Sequence, residues 1–423
     1  MGEDANKKRL VRNTIYLYIL TFSSYFFSLI TVPYQTRILG PEFYGKIGFS
    51  TALIAYFRLI IDFGFILSAT ADVSRHRENR QRVSMIYSHV FYAKCLLVLV
   101  SGVALFFLCL HVSFLRMDIG LYMLTFLSLV MQAMMPDFLY RGMENMRFIT
   151  VRVLALQALF TGLIFIFLKE PSEYYFIPLF TLIGNVIGWF VVERHIRSKW
   201  QIKLQKMQYS QVYKTMKSSF PFFLSRIAGT MYQATNTLFI GWFYSPSSAI
   251  VGYYTGVDRL VGSAKSMFSP VADSLYPYMI KNRDFRLLRK WLLLIMPPTI
   301  LGCILIGIFA KPLMSLLLGP AFYEAGSILR LLIPVVALMP LVYLLGFPVL
   351  SPMGLARHAN ISTIVSAAFQ FCALGIIFVL GSFSITALCI ITVCSQSLVV
   401  FYRAIIIWKH RKKFKERLLS KND

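Results

Sequence analysis

Acidic side chains are scarce in this sequence. Its 423 residues hold 18 Asp and Glu against 43 Lys and Arg, a formal charge of +25, and charged residues of all kinds make up only 14% of the chain. So small a charged fraction, beside 57% hydrophobic residues and a mean hydropathy of +0.65, excludes an ordinary soluble globular protein. Metal and redox motifs are missing as well. The six cysteines, Cys95, Cys109, Cys303, Cys372, Cys389 and Cys394, lie inside apolar segments with no CxxC or metal-ligand spacing; they read as packing residues, and no metal site is expected. No GxxxxGK[ST] phosphate loop occurs, so ATP binding by that route is not expected. The first apolar segment runs from Thr14 past Val32 into Pro33, Tyr34 and Gln35 without a small-residue cleavage site. It is too long for a signal h-region and is expected to stay as a transmembrane helix.

What the chain does have is a succession of apolar runs of the length that spans a hydrocarbon core of about 30 Å, roughly 20 helical residues each. Twelve crossings are predicted, at 14–36, 44–69, 85–110, 119–139, 148–168 and 174–192, then 220–243, 249–279, 291–310, 328–350, 361–380 and 385–408. A short interfacial helix is expected within 319–325. The fold class is therefore an all-α membrane protein. Its connections alternate in basic content: the N-terminus, 75–82, 141–152, 194–217, 281–290 and 409–421 carry nearly all the loop Lys and Arg. The positive-inside rule places these, and both termini, in the cytoplasm. The basic clusters need no further explanation than topology and attraction to anionic lipid; nucleic acid is not implied.

The basic connection 193–219 falls at the middle and separates six crossings from six, giving lobes 1–205 and 206–423. Halves with even crossing numbers begin on the same side, so a repeat between them would be parallel. Each half opens with a long span and a tight outward turn, Leu39, Gly40, Pro41 then Gly45 in one and Tyr244, Ser245, Pro246 then Gly252 in the other.

Ionisable residues inside the predicted spans are the informative ones. Arg58, Lys94, Arg226, Arg259, Lys265 and Arg330 stand against Asp62, Asp258 and Asp273. Each costs roughly 2.5–3.5 kcal/mol at a helix centre in lipid, so they should face the protein interior or a wet cavity. Arg58 and Asp62 are four residues apart and Asp258 and Lys265 seven, so each pair shares a helix face. Mutual neutralisation is the plain account of either pair, and snorkelling that of Lys94 and Arg330. The set as a whole is cationic in excess. An anionic ligand would supply the missing charge, and Arg suits phosphate through its planar fork. Prolines inside the spans, such as Pro33, Pro136, Pro221 and Pro270, fit kinked helices or helices broken where they line a cavity. Asn185, Gln233 and Asn236 are polar enough to touch sugar but serve equally as packing between helices.

Four stretches carry a family resemblance. The run Asp62-Phe63-Gly64-Phe65-Ile66-Leu67-Ser68-Ala69-Thr70, before a basic loop and a span with Lys94, resembles the second-span signature of Wzx-type O-antigen and capsular polysaccharide repeat-unit flippases. Pro136-Asp137-Phe138-Leu139-Tyr140-Arg141-Gly142-Met143-Glu144 resembles that family's P-x-W-x-x-x-G-x-E run. Arg37 to Gly45 and Leu318 to Tyr323 are similar to two of its outward turns. The chain departs at Phe138, where Trp is frequent, and at Arg141, where Gln is common. The resemblance covers essentially the whole chain. It implies the MOP superfamily of drug/cation antiporters and the lipid II flippase, two six-helix lobes around a central cavity working by alternating access, and an oligosaccharide on undecaprenyl diphosphate as substrate.

On this reading the substrate-binding residues are Arg58, Lys94, Arg226, Arg259 and Lys265. Asp62, Asp258 and Asp273 are expected to form charge pairs or to bind a coupling H⁺ or Na⁺. No catalytic residue or cofactor is expected; the membrane potential itself favours outward movement of an anion by about 2.3 kcal/mol per charge per 100 mV. Expected partners are the lipid-linked oligosaccharide, membrane lipids and other polysaccharide assembly proteins, at the bacterial inner membrane. A membrane glycosyltransferase or polymerase is disfavoured because every outward loop is short. A small-molecule or drug antiporter of the same superfamily is the alternative, and the cationic excess argues against it.

Overall fold

The computed structural model describes residues 2–419, with side chains over 12–224 and 234–410, and helix is the only long regular structure among them. In chain order the helices are α1 (Gly2–Asp62), α2 (Phe65–Arg75), α3 (Arg80–His111), α4 (Ser113–Met117), α5 (Ile119–Met134), α6 (Asp137–Gly142), α7 (Met146–Phe167), α8 (Phe176–His195) and α9 (Tyr209–Tyr244). There follow α10 (Ala249–Ser266), α11 (Ser269–Asn282), α12 (Phe285–Ile308), α13 (Ala310–Leu318), α14 (Ala325–Leu344), α15 (Phe347–Leu350), α16 (Ala356–Val379) and α17 (Ile385–Leu419). The expected short helix near 319–325 is a single 3₁₀ turn, Pro320–Phe322.

Nine helical stretches among the described residues are long and apolar enough to cross a membrane. The first, Arg12–Arg75, has 64 residues, roughly 96 Å if straight, far more than one crossing needs. Gly40 divides it: its φ of 66° and ψ of 177° are open essentially to glycine alone. Two predicted crossings are not among the nine. Residues 220–243 lie in α9, where the side chains of 225–233 are not described. The predicted continuous span 249–279 is two helices, α10 and α11. Pro270 accounts for the break: it has no N–H to give the carbonyl of Ser266, and it sits at the first turn of α11, where that loss costs nothing. Large apolar side chains remain exposed all along these helices, among them Leu99, Leu127, Leu294, Leu301 and Phe401, as expected of surfaces solvated by lipid.

The chain forms two compact units, residues 1–252 and 253–423. Side-chain pairings fix helix directions inside the first. Asn13 donates to the Glu144 carbonyl, Thr150 to that of Tyr16, Gln157 to Ser24, and Tyr34 to the Leu168 carbonyl, so the first half of α1 runs parallel to α7. Lys46 meets Asp118 and Ser50 meets Thr125, so its second half is parallel to α5. Tyr174 precedes α8 and bonds Asp118, and Asn185 donates to the Ser128 carbonyl, which makes α8 parallel to α5 as well. α3 is antiparallel to α5, since Lys94 reaches Ala133 while Gly102 lies against Phe126. Successive crossings therefore alternate. The basic connections gather at one end, where Arg77 pairs with Glu144 at 2.9 Å and Arg80 donates to Gln201 at 2.9 Å.

The two turns that look alike in sequence also meet in this unit. A methyl group on Gly252 would collide with the Pro41 carbonyl, and one on Gly45 would come within 2.8 Å of the Gly252 nitrogen. Only bare backbone allows that approach.

In the second unit α16 and α17 are antiparallel, with His358 beside Tyr402, Ser362 beside Arg403 and Ser366 donating to the Ser395 carbonyl. Arg403 is buried and donates to three acceptors on two helices: to Val342 O at the end of α14, and to Ser362 Oγ and Ala359 O of α16. Met279, Leu288 and Val349 form one apolar cluster and Ala272, Leu275 and Leu344 another, seating α11 against α12, α14 and α15.

Candidate functional site

Two helices stop part-way through the first unit, and the charged residues collect where they do. Phe63 and Gly64 have φ of 39° and 77°, which ends α1 at Asp62 and starts α2 in a new direction. The predicted span 44–69 is thus broken inside the residues that carry the resemblance. Gly64 is required there: its φ is left-handed, and a Cβ would lie 2.7 Å from the Phe223 nitrogen. α5 stops before Pro136, and the Asp137 N–H turns to the Met135 carbonyl at 3.0 Å. That leaves the Ala133 carbonyl without its helical partner.

Lys94 of α3 fills the vacancy. Its ammonium, buried at 6% exposure, donates to Ala133 O and lies 4.0 Å from Asp62. The carboxyl ends of α1 and α5 both carry negative partial charge, so a cation between them is favourable. Asp62 also pairs with Arg58 at 3.6 Å, the expected i, i+4 pair. The arginine side chain is 52% exposed.

These residues form one wall of a cavity of about 420 Å³. The rest of the lining comes from α5 to α8 and contains groups that sequence reasoning did not select. Arg152 donates to Asp137 at 2.8 Å with its side chain only 6% exposed. Its Nε and Nη1 are buried without a partner, as is Nε of Arg141. Gln157 donates through Nε2 to Ser24 while its Oε1 is left unpartnered. Asn185 also lines the cavity, and Phe138, Phe160 and Phe180 supply apolar faces. Among the described residues the charged lining is four cations, Arg58, Lys94, Arg141 and Arg152, against the two carboxylates Asp62 and Asp137. A positive, partly desolvated cleft favours an anion.

Arg152 had read as part of a basic connection, 141–152. It lies instead two turns inside α7 and is buried. The signal available was its place inside the predicted span 148–168, with an aspartate, Asp137, near the end of the preceding span 119–139.

The remaining predicted residues lie elsewhere. Asp258, Arg259 and Lys265 are all on α10, within the second unit and half-buried. Asp258 feels the charge of both Lys265 and Arg259; no ion pair joins it to Lys265 among the described residues. Asp273 is exposed and accepts from Ser269 at 3.0 Å. Arg330 is exposed and donates to the Gly307 and Ile308 carbonyls at 3.0 and 3.2 Å. It caps the end of α12 and takes no part in a site. Arg226 and Gln233 lie outside the described side chains. Asn236 is buried.

Comparison with known proteins agrees with this architecture. Residues 10–283 match the family model described as polysaccharide biosynthesis protein. The chain is 23% identical over 353 residues to an Escherichia coli (strain K12) protein named "Putative O-antigen transporter", covering 82% of this chain and 85% of that one. It is 24% identical over 370 residues to a Shigella dysenteriae protein of the same name, covering 85% and 92%. Among solved structures, the inward closed conformation of the lipid II flippase MurJ superposes with a TM-score of 0.74 at 13% identity, covering 93% of this chain and 87% of that one. An inward-facing multidrug resistance MATE transporter of the MOP superfamily gives 0.60 at 14% identity, covering 92% and 98%. At such identity these two likenesses speak for the fold alone. The family match spans well over half of the chain, and this multi-pass membrane protein therefore belongs to the polysaccharide biosynthesis protein family.

Proposed function

We propose that this protein is a flippase that carries undecaprenyl-diphosphate-linked oligosaccharide repeat units from the cytoplasmic to the outer leaflet of the bacterial inner membrane. The observation that carries the reading is the excess of cations lining a cavity inside a membrane protein of a polysaccharide family, where among the described residues two carboxylates answer four cationic side chains. The names of its relatives as O-antigen transporters point the same way. In this reading the lobes 1–205 and 206–423 alternate in access. Arg58, Lys94, Arg226, Arg259 and Lys265 hold the diphosphate, the sugars occupy aqueous space and the prenyl chain stays in lipid. The inside-negative potential, or a H⁺ or Na⁺ on Asp62 or Asp258, drives the outward step. No chemistry on the substrate is required.

A cation antiporter on the same fold is disfavoured by the sign of the lining, which would repel its substrate. Deleting the gene should cause undecaprenyl-linked oligosaccharide to accumulate facing the cytoplasm. Arg58→Ala and Arg259→Ala should abolish complementation of the deletion while leaving membrane abundance unchanged. Full complementation by both variants would refute the cationic site.

A further inference from the structure

We propose that the cavity inside the first unit is a binding site for the sugar phosphate portion of the lipid-linked substrate, with Arg152 and Arg141 adding to the cations named above on the phosphate next to the sugar, and Gln157 on a hydroxyl of that sugar. The inference rests on the flippase reading for the lipid and on the following groups for the site. Arg152 has a side chain 6% exposed and spends only Nη2 on Asp137. Its Nε and Nη1, with Nε of Arg141, leave three buried cationic N–H centres unanswered. Buried donors of this kind are costly to leave unpaired, and a tetrahedral oxyanion offers acceptors in several directions at once.

Gln157 adds a demand that an anion without an O–H cannot meet. Ser24 Oγ gives its proton to the Leu20 carbonyl at 2.9 Å, so it can only accept from Gln157 at 3.0 Å. The glutamine therefore turns its NH₂ to Ser24, and the orphaned atom is Oε1, an acceptor. The ligand must donate to it. A phosphate ester next to a hydroxyl supplies both needs in one group. Phe138, Phe160 and Phe180 line the same space and suit the C–H face of a pyranose. The volume of about 420 Å³ falls low in the range of single-ligand pockets, roughly 300–1,000 Å³; it admits one sugar phosphate and leaves the rest of the oligosaccharide outside. Asp137 competes with the ligand for Arg152, which keeps the bound state reversible.

The test is equilibrium binding to the full chain in nanodiscs, with four probes: geranyl-diphosphate-linked N-acetylglucosamine, N-acetylglucosamine 1-phosphate, inorganic sulfate and methyl N-acetylglucosaminide. The prenyl-linked probe should bind most tightly and the neutral glycoside not measurably. Arg152→Gln should weaken both sugar phosphates about ten-fold or more. Gln157→Leu should weaken the sugar phosphates and leave inorganic sulfate, which has no O–H to donate, unchanged, a split that a structural role for Gln157 does not produce. Asp137→Asn should tighten all three anions. Should Arg152→Gln not yield a monodisperse protein, Arg141→Gln and Asp137→Asn carry the same comparison. Affinities within two-fold of wild type in Arg152→Gln and Gln157→Leu would overturn the site. Equal affinity for the free and the prenyl-linked sugar phosphate would overturn the assignment to a lipid carrier. The two readings fail separately: binding through these residues without accumulation of lipid-linked oligosaccharide in the deletion strain sinks the flippase, while accumulation with unaltered binding in the variants sinks this site.

Discussion

Lys94 shows how one side chain serves two helix ends. It answers the Ala133 carbonyl freed by Pro136 and balances Asp62 at the end of α1. Replacing it by Met should leave the Ala133 carbonyl unpaired in a low-dielectric interior and Asp62 with only the half-exposed Arg58, at a cost of about 1–3 kcal/mol. The expected readout is a lower Tm in detergent, partly restored by adding Asp62→Asn, because the second change removes the carboxylate that the first deprives of its buried partner; an unchanged Tm in Lys94→Met would contradict the role. Arg403 makes a parallel case in the second unit. It binds three acceptors on two neighbouring helices, which a single ammonium cannot span. Arg403→Lys is expected to cost about 1–3 kcal/mol and to lower Tm with no change in ligand affinity. Depth in an apolar segment was enough to single out Arg58, Asp62 and Lys94. The same criterion applied to 385–408 should have raised Arg403, and Arg152 was hidden by its position at the edge of a basic connection.

At the scale of helices, the informative feature is where they stop. Pro136 and Pro270 mark interruptions, whereas the helix runs on past Pro33, Pro221, Pro297, Pro298, Pro334 and Pro340. Proline removes one hydrogen bond and crowds one carbonyl. At Pro136 a buried lysine takes up a freed carbonyl, and that partner is invisible in the linear pattern. The break at Phe63–Gly64 depends on glycine. Gly64→Ala should cost about 1–3 kcal/mol, from the left-handed φ alone, before the clash with Phe223. Gly302→Ala is the matching control. Gly302 lies mid-helix with open space around its Cα, so the alanine should raise stability by about 0.5–1 kcal/mol. Thermal unfolding of the two variants side by side checks the pair; equal Tm values would mean that the break at Gly64 is not needed for the packed state.

At the scale of the molecule, the alternation of crossings follows from the chain and is repeated in the packing. Asn13, Glu144, Arg77, Arg80 and Gln201 meet at one end of the first unit, while Lys46, Asp118 and Tyr174 meet at the other. Placing the basic end in the cytoplasm predicts the outcome of reporter fusions. Alkaline phosphatase joined after Ser245 or Gly381 should be active, and joined after Lys206 or at the C-terminus inactive. An active fusion at Lys206 would invert the orientation.

The sequence by itself determined that lipid is the solvent of this protein, that its helices cross in alternation, and that its buried charge is cationic in excess. Those properties are sums and periods along the chain, set by composition and by the spacing of basic loops. Tertiary structure alone decided which charges share a space. It put Arg58, Asp62 and Lys94 with Asp137, Arg141 and Arg152 around one cavity, left Asp258, Arg259 and Lys265 together on α10 in the other unit, and turned Arg330 into a helix cap. The physical reason is range. Hydropathy and topology act residue by residue, whereas an ion pair or an orphaned carbonyl is settled within about 4 Å, between residues as distant in sequence as Lys94 and Ala133.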